Sequence, residues 1–126
     1  MVASGLAEFS GRLDRPCNTV WRAMRDGRIV GMIAIDGEGL GPGIAHLRWF
    51  IVDAEIRGRG VGRELLALAL RFSDERGFFE IRLWTFNGLD AARHLYEAAG
   101  FGLAEERPGR QWGAEVIEQL FVRTAP

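Results

Sequence analysis

The sequence predicts an α/β domain on a mixed sheet, with elements in the order β-β-β-α-β-α-β-β. Three observations carry that expectation. Two strand-like runs flank Asp26-Gly27, a pair that strongly favours a two-residue hairpin turn. Residues 44–52 form a nearly continuous apolar run, as a buried central strand requires. From residue 60 the apolar spacing turns helical, returns to period two at residue 78, and turns helical again after Asp90.

The strands beside the turn are residues 19–25 and 28–36, rich in β-branched and bulky side chains. Residues 37–43 hold four glycines and Pro42 and read as a loop. The first helix spans residues 60–76. Val61, Leu65, Leu68 and Phe72 make one stripe, Leu66, Ala69 and Leu70 widen it, and Gly77 suits the C-terminal cap. In residues 78–86, Phe79, Ile81, Leu83 and Thr85 alternate with Glu80, Arg82 and Trp84. Asp90 can cap a second helix that runs to Ala99 and ends at Gly100. Two closing strands, residues 103–107 and 115–123, are joined by a turn at Pro108-Gly109.

A chain of 126 residues is one domain, 1–126, long enough to bury a core without staples. The formal net charge of −1 provides no basic field to hold nucleic acid. All sixteen basic residues are arginine, so no lysine amine is present to be acetylated in cis. Cys17 is the only cysteine, which excludes an intrachain disulfide and a cysteine metal cluster. His46 and His94 are too few and too far apart for a metal site. The N-terminus has no basic region followed by an apolar run, and no apolar stretch reaches the roughly 18 residues of a membrane span. The default expectation is a cytoplasmic protein.

The stretch that carries chemistry is Arg57-Gly58-Arg59-Gly60-Val61-Gly62, between the apolar strand and the first helix. Alternate glycines let the backbone approach a ligand closely. The helix start adds unpaired N–H groups and the positive end of its dipole, so the loop suits a phosphate or pyrophosphate. Arg57, Arg59 and Arg63 add charge around it. It is not a Walker A loop, because Arg63-Glu64 stand where Lys and Ser or Thr belong. It is not a dinucleotide fingerprint either, since position 63 would have to be glycine. The plainer role is a turn that merely connects strand to helix.

Arg57-x-x-Gly60-x-Gly62 after an apolar strand resembles the coenzyme A signature of the GNAT N-acetyltransferase superfamily. A second block, Ala91-Ala92-Arg93-His94-Leu95-Tyr96-Glu97-Ala98-Ala99-Gly100-Phe101, is similar to that family's following helix. The two lie in the family's order, with 34 positions from Gly62 to Tyr96, and the resemblance covers about four-fifths of the chain. The wording Arg82-Leu83-Trp84-Thr85 followed by the second block looks most like acetyltransferase domains that follow a MarR-type DNA-binding domain, which these residues do not contain.

The resemblance implies a mixed, mostly antiparallel sheet flanked by helices, and acetyl-CoA as cosubstrate. It implies that the backbone of Phe50, Ile51 and Val52 pairs with the pantetheine arm. The amides of Arg57, Gly58, Arg59, Gly60, Val61 and Gly62 would hold the pyrophosphate, and Tyr96 would sit near the thioester sulfur. Many relatives carry Asn where this chain has Leu89; Asn87, two residues earlier, is the candidate replacement.

The implied reaction is direct attack of a primary amine, on a small molecule or a protein, within a ternary complex. It needs a base, an oxyanion donor and a proton for the leaving thiolate. Tyr96 is the candidate acid, protonated at neutral pH because its ordinary pKa is about 10; its plainer role is core packing against Leu95 and Phe101. His46 is the candidate base, with Glu80 and Glu38 as alternatives, and its parity along the strand is expected to place it on the face of Phe50 and Val52. The four tryptophans read as core or sheet-face residues, with Trp112 bordering the acceptor site. An acetyl-CoA sensor with little turnover is the alternative to a transferase.

GNAT domains usually carry a strand and two helices ahead of the hairpin. Here 18 residues precede Thr19, room for one short strand at 7–13. With this shortened N-terminal part, an apolar patch should lie open near the substrate side. The expected outcome is self-association as a homodimer over that face, or a partner segment upstream in a longer protein.

Overall fold

The computed structural model describes residues 9–56, 58–111 and 113–126. Strands β1 (Asn18–Arg25) and β2 (Arg28–Asp36) form the expected hairpin, with Asp26 at φ 52° and Gly27 at φ 76°. Both central residues of this turn need left-handed conformations, which is why Asp-Gly stands there. Strand β3 (Ile44–Val52) follows, then a 3-10 turn at Ala54–Ile56 and helix α1 (Val61–Glu75). Strand β4 (Glu80–Phe86), helix α2 (Asp90–Ala98), β5 (Gly102–Gln111) and β6 (Ala114–Thr124) complete the chain. No described helix is long and apolar enough to cross a membrane.

The six strands lie in the order β1-β2-β3-β4-β6-β5. Only β3 and β4 are parallel, and α1 supplies the crossover that a parallel pair needs. This is the expected mixed, mostly antiparallel sheet. Both helices bury their apolar stripes on one face of it. Ile33, Ile35, Ala45, Leu47, Ile81, Leu83 and Phe121 of the sheet close over Leu65, Leu66 and Ala69 of α1 and over Tyr96 of α2. The helices end as their glycines require: Gly77 takes φ 82° and Gly100 φ 99°.

Four local expectations are corrected. Residues 9–10 are helical and 11–17 form turns, so no strand runs through the described part of 7–13; Ala7 and Glu8 lie outside the described residues. Phe9, fully buried, packs its ring 5.2 Å from that of Trp49 instead. Strand β4 starts at Glu80 rather than 78. Leu89, not Asp90, occupies the N-cap of α2, and Asp90 serves in the first turn, where its charge suits the dipole. The last hairpin does not turn at Pro108-Gly109. Strand β5 runs through both residues, Pro108 in register with Ile117 and Gly109 with Val116, and the ladder continues to the Gln111–Ala114 pair. A proline is tolerated here because β5 is the sheet edge. Gly109 is needed because the Glu118 side chain lies where a Cβ would stand.

Candidate active site

The glycine loop stands at the start of α1 in the form a ligand loop needs. Gly58 and Gly60 take φ of 85° and 82°, and a Cβ built on either would meet nothing within 4 Å. Gly60 is the N-cap and no side chain caps the helix, so the first-turn amides have no acceptor of their own in the helix. Gly62 differs. Its φ is ordinary, and a Cβ there would lie 3.4 Å from Leu95 and 3.5 Å from both Phe50 and Val52, ordinary contact distances at the point where α1, α2 and β3 converge. Arg59 and Arg63 are exposed beside the loop, while Arg57 lies outside the described residues. Phosphate groups fit such a place: open space, uncapped amides and cations together.

Beside this loop the sheet parts. The β3–β4 ladder ends at His46 and Arg82, and β3 continues to Val52 without a β4 partner in register. Its other ladder, to β2, is also interrupted: Ala34 pairs with Arg48 and Met32 with Ile51, so Trp49 and Phe50 together oppose Ile33. This is a β-bulge. Trp49 adopts φ 50°, a left-handed conformation that is costly for a bulky side chain and is held by the packing of its ring. Phe9 lies against it, and the Arg48 guanidinium stacks over it at 3.9 Å.

The bulge changes which residues share a face. Ala45 and Leu47 belong to the core beneath the helices, and so do Phe50 and Val52 after the inserted residue. His46 and Arg48 therefore face the other side. The expectation that His46 shares the face of Phe50 and Val52 is overturned, because the inserted residue reverses the alternation. His46 stacks edge-on against Trp84 at 5.0 Å. Burial first, and then the nearby positive charge of Arg48, lower its pKa to about 4, so it is neutral at physiological pH.

On that same face Asp36, 1% exposed, is held by the Arg12 guanidinium at 3.0 and 2.7 Å, by the amides of Glu38 and Gly39, and by Arg48 at 3.3 Å. Burial alone would raise its pKa; the Arg12 contact and the two amides outweigh it and hold the carboxyl far below the usual range. Glu38 joins Arg12, Arg15 and Asn18, which together lower its pKa to about 2.

Tyr96 sits under the helices, 7% exposed, with the rings of Phe50, Phe101 and Phe121 about it at 6.0–6.1 Å. Burial raises its pKa to about 12. The structure thus brings Phe50, Val52, Gly62 and Tyr96 together on the helix side. Ile51 points away and is 56% exposed. The Asn87 Oδ1 accepts a bond from the Ile117 amide at 3.0 Å, tying the end of β4 to β6 and leaving only its NH2 group for a ligand. Asn87 also lines a recess of about 450 Å³ with Pro108, Arg110, Glu115 and Ile117. Trp112 lies outside the described residues. On the opposite face Trp84, 44% exposed, lies open near the gap.

Sequence reasoning missed Trp49, Arg48 and the Arg12–Asp36 pair. Where residues 49–52 are all apolar nothing marks a bulge, and no short-range pattern links residues 12 and 36.

The family model described as Acetyltransferase (GNAT) family matches residues 3–101. The N-acetylaspartate synthetase of Xenopus tropicalis is 30% identical over 112 residues, covering 86% of this chain and 41% of that protein. The chain spans about two-fifths of the length of the curated relatives it matches. Among solved structures, a ribosomal-protein-alanine N-acetyltransferase from Brucella melitensis superposes with TM-score 0.82 at 20% identity, over 97% of this chain and 78% of that one. A Bacillus anthracis structure in complex with acetyl coenzyme A does so with TM-score 0.78 at 22% identity, over 94% and 68%. The fold is that of these structures, and by the extent of the family match this chain belongs to the acetyltransferase (GNAT) family.

Proposed function

We propose that this chain is an acetyl-CoA-dependent N-acetyltransferase that acts on a primary amine by direct attack in a ternary complex. The observation that carries this reading is the pair of left-handed glycines at the uncapped start of α1, with open space before them, beside the gap between β3 and β4. Family membership supports it, and relatives named as transferases weigh against a sensor without turnover.

Acetyl-CoA supplies the acetyl group as a thioester: the amine nitrogen bonds to the carbonyl carbon, the carbon–sulfur bond breaks, and the thiolate takes up a proton. In this reading the amides at 57–62 receive the pyrophosphate, and the backbone of Phe50, Ile51 and Val52 lies along the pantetheine. The Asn87 NH2 group donates to it from across the gap. A backbone N–H of β3 freed by the bulge faces the developing oxyanion. Tyr96, protonated up to a pKa of about 12, is the proton donor on the helix side. His46 is neutral and accepts the amine's proton, but with a pKa of about 4 it only relays that proton to water.

The place among acetyltransferase domains that follow MarR-type domains rests on the wording of Arg82–Thr85 and of Ala91–Phe101 alone. A cytoplasmic setting, and a second copy or an upstream segment over the substrate side, belong to the same reading.

Thermal-shift titration with acetyl-CoA, followed by thiol release over pooled amines, tests the proposal. The expected result is binding that raises the melting temperature by mass action, with turnover on at least one amine. No shift at millimolar acetyl-CoA disproves cofactor binding; binding without thiol release from any amine disproves the transferase.

A further inference from the structure

Resting on the transferase reading, one feature narrows the class of acceptor. The cofactor loop and Tyr96 lie on the helix side of the sheet, so the acceptor meets the thioester from the other side, through the gap beyond His46 and Arg82. The charged groups of that face are almost all matched. Arg82 pairs with Glu80, and Arg12 and Arg15 are engaged by Asp36 and Glu38.

Arg48 is different. Its side chain is 24% exposed and lies over the Trp49 indole, with Cζ 3.9 Å from the ring centroid, one residue before the point where β3 loses its regular pairing. Among described residues its hydrogen bonding is limited to one long contact, Nη1 to Asp36 Oδ2 at 3.3 Å, out of five N–H donors. Asp36 does not depend on that contact, because two Arg12 nitrogens and two backbone amides already hold it. A guanidinium held over an aromatic face, with most of its N–H donors unspent, is built to receive a planar oxyanion through paired bonds.

We propose that the acceptor amine carries a carboxylate and that Arg48 holds it. Arg12, Arg15 and Arg48 stand against two carboxylates, Asp36 and Glu38, and the one excess positive charge fits a singly charged carboxylate. A phosphate dianion calls for more than one, and the neighbouring arginines are engaged. An acceptor that puts its nitrogen into the gap from this face passes over Arg48, so the guanidinium selects and orients it without touching the reacting atoms. Arg48 is a specificity residue.

The test reads binding, so it does not depend on turnover. In the presence of coenzyme A, calorimetry measures N-acetylglycine and N-acetyl-β-alanine, each against its primary amide, with O-phosphoethanolamine as the phosphate arm. At least one acid should bind about tenfold or more tightly than its amide, as a charge-assisted pair implies. Arg48→Met should bring acid and amide to within about twofold, and Arg48→Lys should retain part of the preference, since it keeps charge but not the fork. Acetyl-CoA affinity should be unchanged in both variants, which shows that they are folded. Equal binding of acid and amide, no binding of either, a preference that survives in Arg48→Met, or tighter binding of the phosphate each overturns the proposal. Failure of thiol release with every amine removes the transferase reading and leaves this binding result standing.

Discussion

The Arg12 guanidinium closes on both carboxylate oxygens of Asp36, at 3.0 and 2.7 Å, across 24 positions of sequence. The pair fastens the turn after Phe9 to the end of β2, over the face that carries Arg48 and Trp49. Asp36→Asn should lower stability by about 2 kcal/mol, because an amide cannot replace the charge-assisted bonds to Arg12, which keeps Glu38 as counter-charge. The pH dependence has a definite sign. A carboxyl held low in the folded state adds stability that is present above its unfolded pKa of about 4 and is lost as pH falls below it. Denaturant titrations between pH 5 and pH 2 should show a steeper loss for wild type than for Asp36→Asn; parallel curves refute the assignment.

His46 titrates in the opposite sense to a histidine that gains a partner. Its folded pKa of about 4 lies below the ordinary 6.5, so its contribution is full above pH 6.5 and disappears as pH falls toward 4. His46→Phe should remove that slope, worth on the order of 2 kcal/mol. In rate measurements, a limb near pH 4 marks His46 as the proton relay. A limb at or above pH 6 that His46→Ala leaves in place assigns deprotonation to the acceptor itself.

The two kinds of glycine in the loop should separate cleanly. Gly60→Ala meets no atom but holds a left-handed φ, costing about 1 kcal/mol of stability, and Gly60→Glu should also weaken acetyl-CoA binding by about 100-fold or more. Gly62→Ala keeps helical φ and only ordinary contacts, so stability and affinity should both stay near wild type. Equal affinity across all three variants, measured by calorimetry, would contradict the placement of the pyrophosphate.

Tyr96→Phe retains the ring among Phe50, Phe101 and Phe121 and removes only the hydroxyl. The melting temperature and acetyl-CoA affinity should hold while kcat falls by about 100-fold, as loss of a general acid implies. Since the hydroxyl titrates near 12, no basic limb belonging to it should appear below pH 11. An unchanged kcat returns Tyr96 to a packing role.

Most elements are readable in the sequence because their signals are contiguous. Asp26-Gly27 is its own turn, α1 and α2 carry their apolar stripes, and the glycine spacing marks the left-handed positions Gly58 and Gly60 before α1. What escaped reading depends on partners far along the chain or on the absence of contrast. Residues 49–52 are all apolar, so nothing there shows that Trp49 is inserted, and parity counted back from Phe50 and Val52 puts His46 on the wrong face. Pro108-Gly109 has turn chemistry, yet the glycine is there to let Glu118 cross and the proline because the strand has no outer neighbour. The glycine loop lies in a local motif; the Arg12–Asp36 and Arg48–Trp49 contacts of the opposite face lie in tertiary packing.

The long outer strand β5 has a consequence for life at high concentration. A bare sheet edge is a template on which further strands can grow, the first step toward swapped dimers and amyloid-like stacks. Along β5 that growth is obstructed. Pro108 offers no donor in mid-strand, and Glu105, Glu106, Arg107 and Arg110 put exposed charges around it. A like strand docking there would lose a rung of its ladder, and in a parallel, in-register stack it would bring equal charges face to face. The edge can therefore stay in water without recruiting its neighbours.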